Sequence, residues 1–301
     1  WLAVEADESD GTLVHYRPAV GLILNIDYDH MEHFEGPDAF RACFRAFAER
    51  SETLVLPGDG SADAVAERRA GGLTFGTDGR ADVNVIPRGG GFRPVCDVTV
   101  EGRAAGAFRL PAPGAHNRLN AAAALAACRA AGLDVAAALD GLERFQPVDR
   151  RFQRVAAGPG FVCYSDYAHH PTEIAALVRT AADAEPGRPI AAVFQPHRYT
   201  RTRALGERFP AAFDGAERVA LLPVYPASEA PLSGGTSADL ARHFEERGCP
   251  PCTAADGMED AWVWMNRWKR ERGGVLLIVG AGDIEHLAAR CAEEWGVQDG
   301  E

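Results

Sequence analysis

Two short clusters of polar side chains carry most of the chemistry that this sequence offers. One runs from Asp166 to Glu173 and the other from Phe194 to Arg203, and together they hold three imidazoles, three guanidiniums and two carboxylates. A planar guanidinium makes two parallel charge-assisted hydrogen bonds to a carboxylate or a phosphate. The clusters therefore predict that the protein binds an anionic substrate.

Each cluster directly follows an apolar run that is typical of a buried strand, at residues 161–164 and 189–194, and precedes a helix-like stretch. In an open α/β sheet this places both clusters at the carboxyl ends of strands, where such folds bind ligands. One cluster alone fits a solvated polar loop about as well as a site. Two clusters on successive strand ends favour a site.

Acidic residues dominate the start of the chain. The segment Glu5–Asp10 follows an apolar run that predicts a strand over Leu2–Glu5, and a second predicted strand, residues 20–26, is followed by Asp27, Asp29 and His30. Carboxylates so crowded are costly unless a cation lies among them, and Mg²⁺ prefers oxygen ligands. We expect either a magnesium site at this sheet edge or an acidic turn facing water. Because imidazole is an unusual ligand for Mg²⁺, the residues alone rank His30 below the acids.

Three further segments each allow two interpretations. His116 and Asn117, ahead of an alanine-rich helix, suit either a helix cap or an anion site at the helix start. The segment Arg150–Phe152 suits either a hinge arginine that reaches a phosphate or a linker salt bridge, and the residues alone favour the salt bridge. The turn Gly280–Gly282 suits phosphate binding, but a lone glycine pair is a weak signal and close strand–helix packing explains it better.

Composition narrows the class of partner. The chain has 301 residues, 47% hydrophobic and 25% charged, with a net charge of -12, and it is long enough for two domains. An acidic chain argues against nucleic-acid partners and anionic membranes. The sequence contains no apolar run near the roughly 20 residues of a membrane helix, and we expect no signal peptide. Seven scattered cysteines favour free thiols in a reducing compartment. We expect a cytoplasmic protein.

The predicted elements divide the chain near residues 147–153. Before this point the pattern predicts helices at 37–50, 117–131 and 135–142, with short β-type runs between Thr53 and Leu110. After it, strands and helices alternate, which predicts a parallel, doubly wound sheet. The predicted strands are 161–166, 189–195, 217–223 and 275–280, and the predicted helices are 171–184, 203–213, 236–248, 258–271 and 283–295.

The order of the motifs along essentially the whole chain resembles that of the Mur ligases. The motifs that carry the resemblance are Glu5–Asp10, Asn25–His30, Gly114–Asn120, Arg150–Phe152, Asp166–Glu173, Phe194–Thr202, Val224–Ala227 and Gly280–Ile284. The resemblance implies an ATP- and Mg²⁺-dependent amide ligase of peptidoglycan synthesis. In such enzymes a substrate carboxylate attacks ATP to give an acyl phosphate, which an incoming amine then attacks.

Within the family, the Asp166–Glu173 and Phe194–Thr202 motifs resemble most the branch that joins L-alanine to UDP-N-acetylmuramate. One alternative is the branch that attaches a recycled tripeptide to the same sugar nucleotide and shares the Ala168–Thr172 segment. A second alternative, from a different class of protein, is a non-catalytic remnant that only binds a ligand or a partner.

The resemblance also assigns roles residue by residue. It implies metal coordination by Glu5 and His30, and nucleotide contacts by His116, Asn117, Arg151 and Asp166. It implies that the substrate carboxylates and the incoming amino acid are bound by Tyr167, His169, Arg198 and Arg201. Of these four, His169, Arg198 and Arg201 are the implied catalytic residues.

The resemblance implies a domain for each half of the chain. Residues 1–149 are expected to be a central ATP-binding domain with a mixed sheet and helices, and residues 150–301 a Rossmann-like, doubly wound domain for the amino acid and substrate. The family's N-terminal domain for the UDP-sugar and its P-loop are expected to precede residue 1. The 301 residues alone are therefore expected to be inactive.

Overall fold

The computed structural model describes residues 1–28, 33–67 and 71–296. These residues form two compact units. Unit 1 comprises residues 1–111 and 115–146, and unit 2 comprises residues 112–114 and the chain from Pro147 onward. Each unit has its own sheet and its own hydrophobic core.

Unit 1 contains a mixed six-stranded sheet whose strands follow sequence order. The first four strands are parallel to one another, whereas the last two are added as an antiparallel meander. This sheet with its helices confirms the predicted mixed α/β fold. The strands are β1 (Val20–Leu22), β2 (Thr53–Pro57), β3 (Leu73–Gly76), β4 (Val83–Pro87), β5 (Val95–Val100) and β6 (Arg103–Arg109).

Three helices pack on this sheet: α1 (Pro37–Arg50), α2 (Ala115–Ala130) and α3 (Val135–Glu143). Helix α2 buries a run of alanines and Leu125 among the sheet's apolar residues. Asp134 precedes α3 and caps it, because its carboxylate accepts the Ala137 N–H at 2.8 Å.

The predicted N-terminal strand over Leu2–Glu5 is wrong. These residues have no regular structure, and Leu2 is 86% exposed, because an apolar run becomes a strand only where a neighbouring strand pairs with it. The second predicted strand is shorter than residues 20–26, since β1 pairs with β2 only over Val20–Leu22.

Unit 2 contains a six-stranded sheet in the order β11-β10-β9-β12-β8-β7. Five strands are parallel, and β7 pairs antiparallel with β8 as an edge strand. The doubly wound sheet is confirmed, although the pattern did not predict β7 or β11. The strands are β7 (Gln153–Gly158), β8 (Phe161–Asp166), β9 (Ile190–Phe194), β10 (Arg218–Leu221), β11 (Cys252–Ala254) and β12 (Gly274–Val279).

Helices cover both faces of this sheet. Val275 and Leu277 of β12 lie in one buried cluster while Leu276 and Ile278 lie in another, because successive side chains of a strand point to opposite faces. The helices are α4 (Pro171–Ala184), α5 (Tyr199–Leu205), α6 (Phe209–Ala212), α7 (Ser237–Arg247), α8 (Met258–Glu271) and α9 (Glu285–Glu294).

The predicted single helix over residues 203–213 is wrong. Helix α5 begins at Tyr199, a 3₁₀ turn follows over Gly206–Arg208, and the short α6 then begins at Phe209. Pro210 explains the interruption, since proline has no N–H to continue a helical hydrogen-bond ladder and is tolerated only in a first turn.

Two sequence expectations concern the whole chain. All seven cysteines are free thiols, as predicted. Among residues 1–28, 33–67 and 71–296, no helix is both long and apolar enough to cross a lipid bilayer.

Candidate functional site

The carboxyl ends of the central strands of unit 2 meet at one sheet edge. Val279 pairs with Asp166 on one side and with Phe194 on the other, and Phe194 also pairs with Leu221. Both polar clusters and the glycine turn after Val279 therefore start side by side. This register brings together Arg151, Asp166, Tyr167, His169, Arg198 and Arg201, six of the residues singled out in the sequence.

Asp166 fixes the backbone on both sides of the strand end. Its Oδ2 accepts the Phe152 N–H at 2.7 Å and its Oδ1 accepts the Ala168 N–H at 2.8 Å. Burial raises the pKa of Asp166, and these backbone hydrogen bonds and the Arg151 guanidinium only partly offset that effect. The carboxylate thus orders the two loops that carry Arg151 and Tyr167.

Tyr167 presents its ring to two guanidiniums. The Arg150 Cζ lies 4.9 Å and the Arg151 Cζ 5.6 Å from the ring centroid, within the range of cation–π contact. Arg150 also donates to the Gly280 carbonyl at 2.6 Å and forms an ion pair with Glu285 at 2.8 Å. The salt-bridge interpretation of this arginine pair therefore fits Arg150.

The adjacent histidines have different tasks. The His169 Nδ1 lies 3.0 Å from the Tyr167 carbonyl oxygen, which only accepts, so this assigns the proton of neutral His169 to Nδ1. His170 instead caps α4: its ring accepts the Thr172 N–H, and Glu173 accepts the His170 N–H at 3.1 Å.

His197 lies within the cationic group of the site. Its ring stacks on Tyr225, with centroids 5.6 Å apart, and also lies 5.6 Å from the ring of His169. Burial, followed by repulsion from the protonated form of His169 and from Arg201 and Arg198, lowers the pKa of His197 to about 4. The imidazole is therefore neutral at pH 7.

The Arg198 backbone has a conformation that is rare for a residue with a side chain. Its φ is 67° and its ψ is 136°, and such a conformation persists only where the surroundings hold it. The Arg198 N–H donates to the Tyr225 carbonyl at 2.9 Å, and the Arg198 carbonyl accepts the Thr202 N–H at 3.1 Å. Arg198 thereby stands at the start of α5, with Arg201 in its first turn.

Two residues of the site were not singled out in the sequence. Gln195 donates to Asp283 Oδ1 at 2.6 Å and accepts the Ile284 N–H at 3.0 Å. Glu229 accepts the N–H and the hydroxyl of Thr200. A buried polar residue directly after an all-apolar strand was an available signal for Gln195, but no local pattern marks Glu229.

The glycine turn is closely packed. A Cβ at Gly280 would lie 2.9 Å from the Gln195 carbonyl oxygen, and one at Gly282 would lie 2.5 Å from both Gln195 Oε1 and Tyr225 Cγ. These contacts support the close-packing interpretation of the Gly280–Gly282 segment.

The remaining predicted residues belong to unit 1. His116 and Asn117 lie in the first turn of α2, which begins at Ala115, so neither occupies the cap position before the helix. Glu5 is exposed in an irregular segment, and not at a strand end as predicted, while His30 lies outside the described residues. Within the described ranges, no group of three or more His, Cys, Asp and Glu side chains is arranged to hold a metal ion.

The fold and the site together define a class: a mixed-sheet unit followed by a doubly wound unit whose cationic and aromatic side chains collect at the strand ends. Two domains of one protein family match this chain. The Mur ligase middle domain matches residues 2–128, and the Mur ligase glutamate ligase domain matches residues 150–282. The chain belongs to the Mur ligase family.

Several proteins with similar sequences are named as the same enzyme. The UDP-N-acetylmuramate–L-alanine ligase of Paenarthrobacter aurescens strain TC1 is 36% identical over 301 residues, covering 97% of this chain and 64% of the relative. That of Mycolicibacterium smegmatis is 37% identical over 309 residues, covering 98% of this chain and 63% of the relative. The chain thus spans a little under two thirds of the length of these relatives.

Solved structures show the same fold. The UDP-N-acetylmuramate-alanine ligase of Thermotoga maritima superposes with a TM-score of 0.71 at 24% identity, covering 96% of this chain and 62% of that one. MurF of Acinetobacter baumannii superposes with a TM-score of 0.72 at 19% identity, covering 95% and 62%.

Proposed function

We propose that this chain carries the middle and C-terminal domains of an ATP-dependent ligase that joins L-alanine to UDP-N-acetylmuramate in cell-wall synthesis. The observation that carries the proposal is the convergence of Tyr167, His169, Arg198 and Arg201 at one sheet edge, in a chain 36% identical to a ligase of that name. A cytoplasmic location accompanies the proposal, since ATP and the UDP-sugar are cytoplasmic substrates.

The side chains of unit 2 suit the amine-attack step. Guanidiniums such as Arg198 and Arg201 are matched to a carboxylate of the incoming amino acid. Because Nδ1 holds the proton of neutral His169, its Nε2 is the atom that can accept a proton from the amine. The amine attacks the acyl carbon of the acyl phosphate, the carbon–oxygen bond to phosphate breaks, and the amide bond forms.

Nucleotide and metal binding are proposed on the family resemblance. His116 and Asn117 lie in the first turn of α2, where the helix dipole favours an anion, and Arg151 and Asp166 are the proposed nucleotide contacts of unit 2. Glu5 supplies a carboxylate oxygen of the kind that Mg²⁺ prefers, with His30 as its proposed companion. Bound Mg²⁺ would neutralise charge on the transferred phosphoryl group.

The test is an ADP-release assay on the full-length product of the gene, with ATP, Mg²⁺ and UDP-N-acetylmuramate. L-alanine should support ADP release, and mass spectrometry should find its amide with the sugar nucleotide. ADP release with the tripeptide alone would assign the recycling branch instead. No ADP release with either acceptor, from protein that still binds ligand, would support a non-catalytic role.

A further inference from the structure

We propose that Gln195 is a positioning residue: it holds the β12–α9 turn (Gly280–Ile284) against Tyr225 and thereby sets the backbone of Arg198. The kinetic part of this inference rests on the proposed function, whereas its structural part does not. Gln195 itself is only 5% exposed and follows the last residue of β9.

The Gln195 amide is engaged at both of its ends. Its Nε2 donates to Asp283 Oδ1 at 2.6 Å and its Oε1 accepts the Ile284 N–H at 3.0 Å, so one side chain forms hydrogen bonds to two consecutive residues of the turn. Its backbone N–H also donates to the Val279 carbonyl at 3.0 Å. The end of β9 and the β12–α9 turn are therefore fixed as one piece.

The β12–α9 turn also holds Tyr225 in place. Gly282 has no room for a Cβ, which would lie 2.5 Å from Gln195 Oε1 and 2.5 Å from Tyr225 Cγ. The Tyr225 N–H donates to the Pro196 carbonyl at 2.8 Å, and residues His197 and Tyr225 form an isolated parallel bridge. Tyr225 is thus held between the turn and the loop that follows β9.

Tyr225 then holds Arg198. The Arg198 N–H donates to the Tyr225 carbonyl at 2.9 Å, while the Arg198 φ is 67°. A residue with a Cβ leaves such a conformation unless tertiary contacts impose it. If Gln195 releases the turn, Tyr225 can shift, and Arg198 can return to negative φ with its guanidinium displaced from the substrate.

The chain offers a reciprocal rescue. Gln195→Glu removes both N–H donors and sets a second carboxylate against Asp283, so the turn should detach. Asp283→Asn alone keeps a carbonyl oxygen for the Gln195 amide and should change little. In the double variant Gln195→Glu/Asp283→Asn, the new amide donates to the new carboxylate, so the same hydrogen bond re-forms in the opposite direction. Gln195→Met, which adds no charge, replaces Gln195→Glu if that variant does not fold.

The experiment measures the KM for L-alanine, the KM for ATP and the melting temperature of each full-length variant, and solves the structures of the wild type and of Gln195→Glu or Gln195→Met. Those two variants should raise the KM for L-alanine about tenfold or more, the loss expected for one charged hydrogen bond, with less change in the KM for ATP. The double variant should recover most of the loss, and Arg198 should have negative φ only in the impaired variants.

A merely structural role predicts a lower melting temperature with an unaltered KM for L-alanine, and that result would overturn the inference. So would an Arg198 backbone unchanged in the impaired variant, or a double variant no better than Gln195→Glu. If the wild-type protein shows no alanine-dependent ADP release, the proposed function fails, and the structures alone then decide the positioning role.

Discussion

Glu229 accepts hydrogen bonds from both donor groups of Thr200, its N–H and its hydroxyl, at the start of α5. Its Oε2 accepts the Thr200 N–H at 3.0 Å and its Oε1 accepts the Thr200 hydroxyl at 2.6 Å. The residue before the helix, Arg198, makes no side-chain cap bond, so the Glu229 carboxylate, 29 residues after Thr200, serves as the cap. The helix turn that carries Arg201 is thereby fixed from outside.

Removing this cap should loosen α5. Glu229→Ala should lower the unfolding free energy of unit 2 by about 1 kcal/mol, as for a lost helix cap, and raise the KM for L-alanine because Arg201 is less well placed. Glu229→Gln keeps one carbonyl oxygen and should do less. Thermal melts and alanine-dependent kinetics measure both effects, with the exposed Glu207→Ala as the control. Equal behaviour of Glu229→Ala and Glu207→Ala would contradict the cap.

Arg198 and Arg201 should act in substrate binding and not in stability. Arg198→Lys and Arg201→Lys keep the charge but lose the planar fork, so each should reduce kcat/KM by the equivalent of about 1.5–3 kcal/mol, the range for hydrogen bonds to charged groups. The melting temperature should change little.

Arg203→Lys is the matched control for these variants, because Arg203 lies on the same helix and is exposed. A lower melting temperature with unaltered kinetics in Arg198→Lys and Arg201→Lys would remove both residues from the site. The nearby acid Asp214 is already paired with Arg247 at 2.7 Å, and both of its carboxylate oxygens accept from that guanidinium.

A methyl group at Gly282 should disturb the site more than one at another glycine of unit 2. Gly282→Ala forces a Cβ to within 2.5 Å of Gln195 Oε1 and of Tyr225 Cγ, and overpacking of this kind costs about 1–3 kcal/mol. Gly257→Ala is the control, since its Cβ would meet nothing within 4 Å and its φ of 176° suits any residue. Gly282→Ala should have a lower melting temperature and poorer kinetics than Gly257→Ala. If Gly282→Ala behaves like the control, the turn can move to make room for the methyl group.

The Mg²⁺ role of Glu5 can be tested by charge removal. Glu5→Gln in the full-length protein should raise the Mg²⁺ concentration needed for half-maximal ADP release, because an amide is a weaker ligand for this cation than a carboxylate. Glu52→Gln, at another exposed acid of unit 1, is the control. Direct titration with Mn²⁺ as a spectroscopic substitute gives a readout apart from turnover. An unchanged metal dependence would withdraw Glu5 from the metal site.

The placement of the site was predictable because it follows from local patterns. The runs 161–164 and 190–194 are apolar throughout and are each followed by polar residues, which is enough to predict buried parallel strands and a site at their carboxyl ends. The contacts that shape the site were not predictable in this way. Gln195 meets Ile284 across 89 residues of sequence, and that contact depends on how β9 and β12 pair.

The errors at the start of the chain have the same cause. An apolar run predicts a strand at Leu2–Glu5, but periodicity does not say whether a neighbouring strand exists to accept its hydrogen bonds. Similarly, Arg198 has positive φ because Tyr225 holds it, although its residue type argues against that conformation. Tertiary contacts decided both positions.

The free energy of unfolding should depend on pH because the pKa of His197 is lowered in the native protein. Burial and the charges of His169, Arg201 and Arg198 lower its native pKa to about 4, with Glu229 opposing them, whereas in the unfolded chain histidine titrates near its ordinary pKa of about 6.5. Between these values the unfolded chain binds more protons than the native protein. The free energy of unfolding should therefore fall as the pH falls through this window.

His197→Gln removes this proton uptake, so the stability of the variant should depend less on pH. We expect the difference in melting temperature, wild type minus variant, to shrink between about pH 7 and pH 4.5, because only the wild type loses the stability that neutral His197 contributes. His286→Gln, at an exposed position of α9, controls for the loss of a histidine elsewhere in unit 2. A difference that stays constant across this range would show that burial and the cationic surroundings of His197 do not lower its pKa.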